Sequence, residues 1–198
     1  MIYMTETAVD GRRARGDATR TKVAREAAMI ATVSGLDSIS VGGLAERAGV
    51  SKSGILTVFG SREAIQVGAV AQARRIYIET VIAPAWDSEP GRPRLRALVG
   101  SWRRYLEDQV FPGGCFLASA MVEYGHRDGP VAEAVRRLHR EWLDLLESEL
   151  RTAGAADPVA DAFRIDALLD GGNNRFQLYG DRADLDLGCR LALEVVGD

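Results

Sequence analysis

The chain has 198 residues, of which 46% are hydrophobic and 27% charged, with a formal net charge of −3 and only two cysteines. This composition excludes a disordered chain and a disulfide scaffold, and no apolar run is long enough for a membrane-spanning helix. The first residues, MIYMTET, lack the basic and apolar regions of a signal peptide, so we expect a cytoplasmic protein.

Charge is distributed unevenly along the chain. Residues 1–62 carry nine Lys or Arg against six Asp or Glu, whereas residues 63–198 carry 16 against 22. Residues 11–25 alone contain six basic residues and one acidic residue. A basic end on an acidic body favours binding to a polyanion, although a solvated tail would show the same pattern.

Apolar spacing and turn signals predict helices throughout the chain, because no stretch shows the sustained two-residue alternation of a strand. The clearest helical pattern runs from Val131 through Val135 and Leu138 to Trp142, at steps of four and three residues. We predict an all-α fold of nine helices, near residues 18–34, 41–48, 52–59, 62–84, 92–110, 115–125, 129–153, 158–179 and 184–196.

The most informative segment is SISVGGLAERAGVSKSGILTVFGSRE, residues 38–63. Ala45 is small where a second helix must cross, Gly49 permits a tight reversal, and Ile55 faces inward, as in a helix-turn-helix. An ordinary pair of packed helices would show the same three residues. A supporting helix and a basic stretch upstream, and a long helix starting directly afterwards, favour the DNA-binding interpretation.

These motifs together resemble those of TetR/AcrR-type transcriptional regulators. A supporting helix, then AERAGVSKSGIL, then FGSREAI carry the resemblance over residues 18–66. The stretches FPGGCFLASAMVEYG and DGGNNRFQLYGD are similar to the ligand-binding half of some members. The resemblance implies a homodimer that binds double-stranded DNA at a palindromic operator and releases it when a small-molecule effector enters the C-terminal domain.

The chain departs from the family pattern at two places. Leu56 and Val58 are aliphatic where members commonly carry an aromatic residue and a Tyr or His. Gly42 and Gly43 stand where members often place polar or charged side chains.

Three parts of the chain are therefore predicted. A disordered basic arm covers residues 1–16, a helix-turn-helix DNA-binding domain covers residues 17–63, and a ligand-binding and dimerisation domain covers residues 64–198. The outer face of the second motif helix is expected to read bases through Lys52, Ser53, Gly54, Leu56 and Thr57. Phosphate contacts are expected from Arg12, Arg13, Arg15, Arg20, Thr21, Ser40, Ser51 and Arg62, although each arginine alone also suits an ordinary surface.

Aromatic and soft apolar residues of the second domain are candidates for a ligand pocket, and most would serve equally well as core. They are Trp102, Tyr105, Phe111, Phe116, Met121, Tyr124, Trp142 and Phe176, with Asn173 as a polar residue near Phe176 that could orient a ligand. Gly171 and Gly172 stand in the middle of a predicted helix, where each costs about 1 kcal/mol relative to Ala. They indicate close packing, room for a ligand, or a break in the helix.

The last two predicted helices are apolar on more than one face, so they need cover from both sides. The resemblance implies that they form a four-helix bundle with a second subunit. The expected dimer contacts are Phe163, Ala167, Leu178, Leu185, Cys189, Ala192, Leu193 and Val196.

Enzyme motifs are absent from the sequence: there is no HExxH, CxxC, nucleophile elbow or P-loop. We expect no enzymatic activity, no metal and no cofactor. The prediction is a DNA-binding transcriptional regulator, a repressor released by an apolar or aromatic small molecule. Two alternatives stay open: a dimeric small-molecule-binding protein without operator binding, and a redox-sensing regulator that uses Cys115 at a helix N-terminus.

Overall fold

The structure, a computed structural model, describes the backbone of residues 6–197 and the side chains of residues 16–197. Over this range the chain forms nine α-helices and no strand, which confirms the predicted all-α fold. The helices are α1 (Glu6–Ser34), α2 (Val41–Ala48), α3 (Lys52–Phe59), α4 (Arg62–Tyr77), α5 (Arg92–Glu107), α6 (Phe116–Tyr124), α7 (Pro130–Thr152), α8 (Pro158–Tyr179) and α9 (Arg182–Val196). None of them, within the described part of the chain, is long and apolar enough to cross a membrane.

The first helix is much longer than predicted. It begins at Glu6 instead of near residue 18, so residues 6–16 are helical rather than part of a disordered arm. This stretch is rich in Ala and Arg, which favour helices, and it contains no proline to stop one. Gly11 and Gly16 weaken the helix without ending it.

Local sequence signals set the boundaries of the next three helices. The hydroxyls of Ser40, Ser51 and Ser61 cap α2, α3 and α4, accepting backbone N–H groups at 3.1, 3.0 and 3.1 Å. Gly49 ends α2 with φ of +58°, a conformation that a side chain would disfavour. These signals produce the reversal between α2 and α3.

The N-terminal core lies where α1 packs on α2, α3 and α4. Val23, Ala27, Leu44 and Ile55 are completely buried there. Since one face of α3 is used for this packing, its opposite face remains in solvent.

The body of the subunit begins where α4 leaves this core. Past Tyr77, α4 continues through a π-helical turn (Ile78–Ile82) and a short 3₁₀ turn (Ala83–Ala85). At the far end of the chain, α8 and α9 pack with their backbones close together. A Cβ added to Gly188 would lie 2.7 Å from the Leu168 carbonyl oxygen and 3.0 Å from Gly172 Cα. Close packing therefore explains Gly172, and α8 does not break there.

Candidate nucleic-acid interface and ligand cavity

The exposed face of α3 has the composition expected of a DNA-reading surface. Ile55 and Phe59 point into the core, while Lys52, Ser53, Leu56 and Thr57 are exposed and Gly54 is half-buried. Leu56 keeps 47% of its surface exposed and does not pack against the hydrophobic core of the described residues.

Contacts within the motif arrange the polar side chains of this face. The Thr57 hydroxyl donates to the Ser53 carbonyl oxygen at 2.8 Å, which leaves its methyl group as the free apolar part. A Cβ added to Gly42 would lie 3.6 Å from Lys52 Cε and 3.7 Å from its Nζ. Lys52 therefore lies along the first turn of α2, at a distance that would still be an ordinary contact for an alanine at position 42.

The residues predicted to contact phosphates fall into three groups. The side chains of Arg12, Arg13 and Arg15 lie outside the described residues, and Thr21 is exposed. The Ser40 and Ser51 hydroxyls already serve as helix caps. Arg62 donates to the Asp37 carbonyl oxygen, and Arg20 donates to the Val58 carbonyl oxygen at 2.6 Å. Two of the predicted arginines thus have partners within the subunit.

A mainly apolar cavity of about 250 Å³ lies between α4, α5, α6 and α7. Tyr105, Phe116 and Trp142, three of the residues proposed for a pocket, line it. The other lining residues are Ala73, Arg74, Tyr77, Ile78, Ile82, Leu117, Leu138, Glu141 and Leu145. The contribution of α4 was missed, although its apolar positions 73, 77 and 78 recur at helical spacing and could have indicated it.

Aromatic rings form one side of the cavity. Tyr77 meets Tyr105 and Trp142 edge to face, with ring centroids 5.7 and 5.6 Å apart. Burial raises the pKa of both tyrosines well above its usual value, so both hydroxyls stay neutral. The two charged lining residues, Arg74 and Glu141, pair at 2.5 Å. The cavity therefore offers apolar surface and phenol groups rather than a free charge.

Six of the predicted pocket residues lie elsewhere. Trp102 and Phe111 are buried in the core, and Met121 and Phe176 pack partly buried against it. The Asn173 side-chain oxygen accepts the Cys115 backbone N–H at 3.1 Å, and Tyr124 contacts the N-terminal domain. Their aromatic, apolar or amide side chains are typical of a pocket, but the packing of the helices places them outside the cavity.

The Cys115 thiol is buried at the start of α6. Burial raises its pKa to about 12, and the backbone N–H groups of Ala118 and Leu117 compensate only in part. Because the thiolate is the reactive form, this thiol is not set up to react with oxidants. The redox-sensing alternative assumed a lowered pKa at a helix N-terminus, and burial shifts the pKa of this thiol in the opposite direction.

The predicted dimer residues divide into exposed and buried groups. Phe163 and Leu178 on α8 are 71% and 72% exposed, and Ala167 and Leu193 are also exposed. The other four, Leu185, Cys189, Ala192 and Val196, are buried within the subunit. The expectation that these four contact a partner is corrected, because the packing of α9 inside the subunit already covers them.

The last turn of α6 holds the turn between α1 and α2. The Glu123 carboxylate accepts the backbone N–H groups of Leu36 and Asp37 at 2.6 and 2.8 Å. Gly35 adopts φ of +86°, and a Cβ there would lie 3.0 Å from a Glu123 carboxylate oxygen. The glycine thus makes room for the carboxylate, which links the two domains.

Asp37 is the centre of the same contact. Its carboxylate accepts hydrogen bonds from the Tyr124 hydroxyl at 2.8 Å and from the Gln66 amide of α4 at 3.2 Å, and it pairs with Arg127. The hydrogen bonds from Arg127 and Tyr124 hold the pKa of Asp37 below its usual value. We call the set Gly35, Asp37, Gln66, Glu123 and Arg127 the interdomain joint. No sequence pattern indicated this joint, because its members lie up to 92 positions apart.

A polar cluster lies behind the aromatic wall. Asp166 of α8 accepts the Trp142 indole N–H at 3.0 Å and lies 3.2 Å from His139. The hydrogen bond to Asp166 raises the pKa of His139, and burial followed by the Asp166 charge raises the pKa of Asp170 to about 6. No group of metal-ligating side chains occurs among the residues with described positions.

The helical chain thus combines an exposed helix-turn-helix with an apolar cavity. The sequence model of the family described as "Tetracyclin repressor-like, C-terminal domain" matches residues 91–192, just over half of the chain. The chain belongs to the TetR family and is a transcriptional regulator with the DNA-binding helical fold of that family.

Several solved structures share the fold. A TetR transcriptional regulator from Chloroflexus aurantiacus is 21% identical, with a TM-score of 0.84 over 93% of this chain and 98% of that chain. A TetR-family regulator from Agrobacterium tumefaciens is 20% identical, with a TM-score of 0.80 over 90% and 97%. AibR, solved with isovaleryl coenzyme A and operator DNA, is 15% identical, with a TM-score of 0.67 over 90% and 96%. No curated protein matches the chain significantly.

Proposed function

We propose that this protein is a homodimeric repressor that binds a palindromic operator and leaves it when a small uncharged molecule enters the cavity. The observation that carries the proposal is α3, which buries Ile55 and Phe59 while exposing Lys52, Leu56 and Thr57. A helix anchored on one face and exposed on the other is suited to the major groove.

Each exposed side chain of α3 has a base edge that suits it. Lys52 can donate to the guanine acceptors, and the Thr57 methyl group and Leu56 can contact thymine methyls. Two such helices related by a two-fold axis would read inverted half-sites about one helical turn apart.

The exposed side of α8 supports dimerisation. Phe163 and Leu178 lie near its two ends, and Ala167 and Gly171 lie exposed between them. A Cβ added to Gly171 would meet nothing within 4 Å in the subunit. Large residues at the ends and small ones in the middle fit a second α8 that crosses near Gly171.

The cavity favours a small ligand without charge. A mainly apolar cavity of about 250 Å³ suits a single aromatic ring with short substituents. A charged ligand would need to displace Arg74 from Glu141, whereas an uncharged one can bond to the Tyr77 hydroxyl. A whole coenzyme A ester, as bound to AibR, is much larger than this cavity.

Helix α6 connects the cavity with the interdomain joint, which supports release of the operator when a ligand binds. Phe116 and Leu117 at the start of α6 line the cavity, and Glu123 near its end holds the α1–α2 turn. A ligand that moves α6 would therefore tilt the helix-turn-helix. The operator would be lost because the two α3 helices no longer match successive grooves.

Selection of duplexes from a random pool, followed by binding isotherms, tests the DNA-binding part. We expect Lys52→Ala and Thr57→Ala each to reduce the preference for the selected duplex by about 1–3 kcal/mol. Arg140→Ala, which removes an exposed charge from α7, should retain that preference.

A second candidate, a dimeric binding protein without an operator, is favoured by the aliphatic Leu56 and Val58. Calorimetry with indole and p-cresol, taken together with the duplex selection, separates the two functions. If the protein binds such a probe but selects no duplex, the second candidate is correct and the repressor proposal fails.

A further inference from the structure

The C-terminal end of α3 is fixed by a side chain from α1. The guanidinium of Arg20 donates to the Val58 carbonyl oxygen at 2.6 Å, and its Cζ lies 5.0 Å from the centre of the Phe59 ring. One side chain thus makes a charged hydrogen bond and a cation–π contact to two consecutive residues of the helix.

This contact matters because α3 has only eight residues. The last carbonyl groups of a helix have no partner within it and carry partial negative charge. The Gly60 N–H bonds to the Leu56 carbonyl at 2.8 Å, and Arg20 supplies the partner for Val58. A cation at this end also complements the helix dipole.

Phe59 connects the contact to α4. A Cβ added to Gly68 would lie 2.9 Å from Phe59 Cε1, so the ring packs directly on the backbone of α4. Arg20 and Gly68 therefore hold the ring between α1 and α4. The direction of α3 relative to the rest of the domain depends on this arrangement.

We propose that Arg20 is a positioning residue: it fixes the orientation of α3 for sequence-specific binding and does not act as a phosphate contact. This inference rests on the proposed function for the role of α3 on DNA. Its structural part, the restraint on α3, holds in the absence of DNA and is tested separately.

Hydrogen exchange of the free protein tests the restraint. Arg20→Met keeps an apolar stem but removes the donor and the charge, and Arg20→Lys keeps the charge but loses the planar group over Phe59. Arg25→Met removes an exposed charge from the same helix as a control. We expect amides of residues 56–60 to exchange at least about fivefold faster in both Arg20 variants and unchanged in the control.

Binding to the selected operator and to a random duplex over a range of salt concentrations tests the consequence. We expect the ratio of the two affinities to fall about tenfold in Arg20→Met and less in Arg20→Lys, with the salt dependence unchanged. A phosphate contact would instead lower the salt slope by about 0.9 in Arg20→Met, and Arg20→Lys would restore binding.

Either of two results overturns the inference: unchanged exchange at residues 56–60 in Arg20→Met, or a lowered salt slope with rescue by lysine. If wild-type protein selects no duplex at all, the proposed function fails, and the exchange experiment still decides whether Arg20 holds α3.

Discussion

The helix-turn-helix region is packed with small and aliphatic side chains, whereas the cavity-containing region is packed with aromatic rings and buried polar groups. Ala27, Leu44 and Ile55 are typical of the first interior, and Phe59 is its single aromatic residue between positions 16 and 60. In the second, Tyr77, Tyr105, Trp142 and neighbouring rings surround a cavity.

This difference shows what each region must do. Short side chains let three helices pack closely, which fixes the exposed face of α3. Tyr77, Tyr105 and Trp142 line the cavity and meet edge to face, so their packing defines one side of it. The two regions meet at the interdomain joint and at Gly113, whose backbone N–H donates to the Thr32 hydroxyl at 3.2 Å.

The largest loss of stability is expected at Gly113, the second point of contact between the two regions. In Gly113→Ala the new Cβ would overlap the backbone carbonyl of Thr32 in α1. We expect the free energy of unfolding to fall by more than about 3 kcal/mol, measured by chemical denaturation. The control is Gly100→Ala in α5, where the atom nearest to the new Cβ is a flexible arginine nitrogen at 3.8 Å. This change should raise the free energy of unfolding by at most about 1 kcal/mol. Equal effects of the two changes would mean that the regions are not in close contact.

The next effect concerns the buried polar groups of the cavity-containing region. Asp170, beside Asp166 and near His139, has a pKa raised to about 6, so the folded protein holds its proton between pH 4 and 6 while the unfolded chain releases it. Stability should therefore fall as pH rises through this window. Asp170→Asn should remove that part of the slope and raise stability at pH 7 by up to about 3 kcal/mol.

Thermal unfolding from pH 4 to 8 measures this change. His139, whose pKa is also raised, adds a loss of stability as pH rises through its folded-state pKa, and this loss should remain in the variant. Asp161→Asn, at a position near the start of the same helix, is the control. A variant less stable than wild type at pH 7 would contradict the assignment of Asp170 as a buried carboxyl group.

The smallest effect is expected for communication between the regions. In the wild-type protein both carboxylate oxygens of Glu123 accept a backbone N–H, one from Leu36 and one from Asp37. In Glu123→Gln the side-chain NH2, which is a donor, would face one of these N–H groups. We expect indole or p-cresol and the operator each to bind separately with little change. The factor by which the probe weakens operator binding should fall at least about fivefold.

Calorimetry with the probe and anisotropy with labelled operator measure the two bindings and their coupling. Glu133→Gln, an exposed change on α7, should leave the coupling at the wild-type value. If coupling in Glu123→Gln equals that of wild type, the signal passes by another route, such as α4 through Gln66.

The helices and the turn of the DNA-binding motif could be predicted from the sequence, but the contacts between domains could not. Ser51, Gly49 and Ile55 act within a few residues of one another, so their roles follow from local spacing. Arg20 was expected to contact phosphate, because its charge is visible in the sequence and its contact with Val58, 38 positions away, is not. The sequence placed Cys115 at a helix N-terminus, but the burial that raises its pKa is a property of the packed helices.

The sequence by itself determined the all-α architecture and the exposed face of α3, because caps, glycines and apolar periodicity act over distances of one or two helical turns. Only the tertiary structure decided which rings enclose the cavity, which α9 residues are covered within the subunit, and how Glu123 reaches the α1–α2 turn. These features depend on residues far apart in the chain, whose proximity arises when the helices pack.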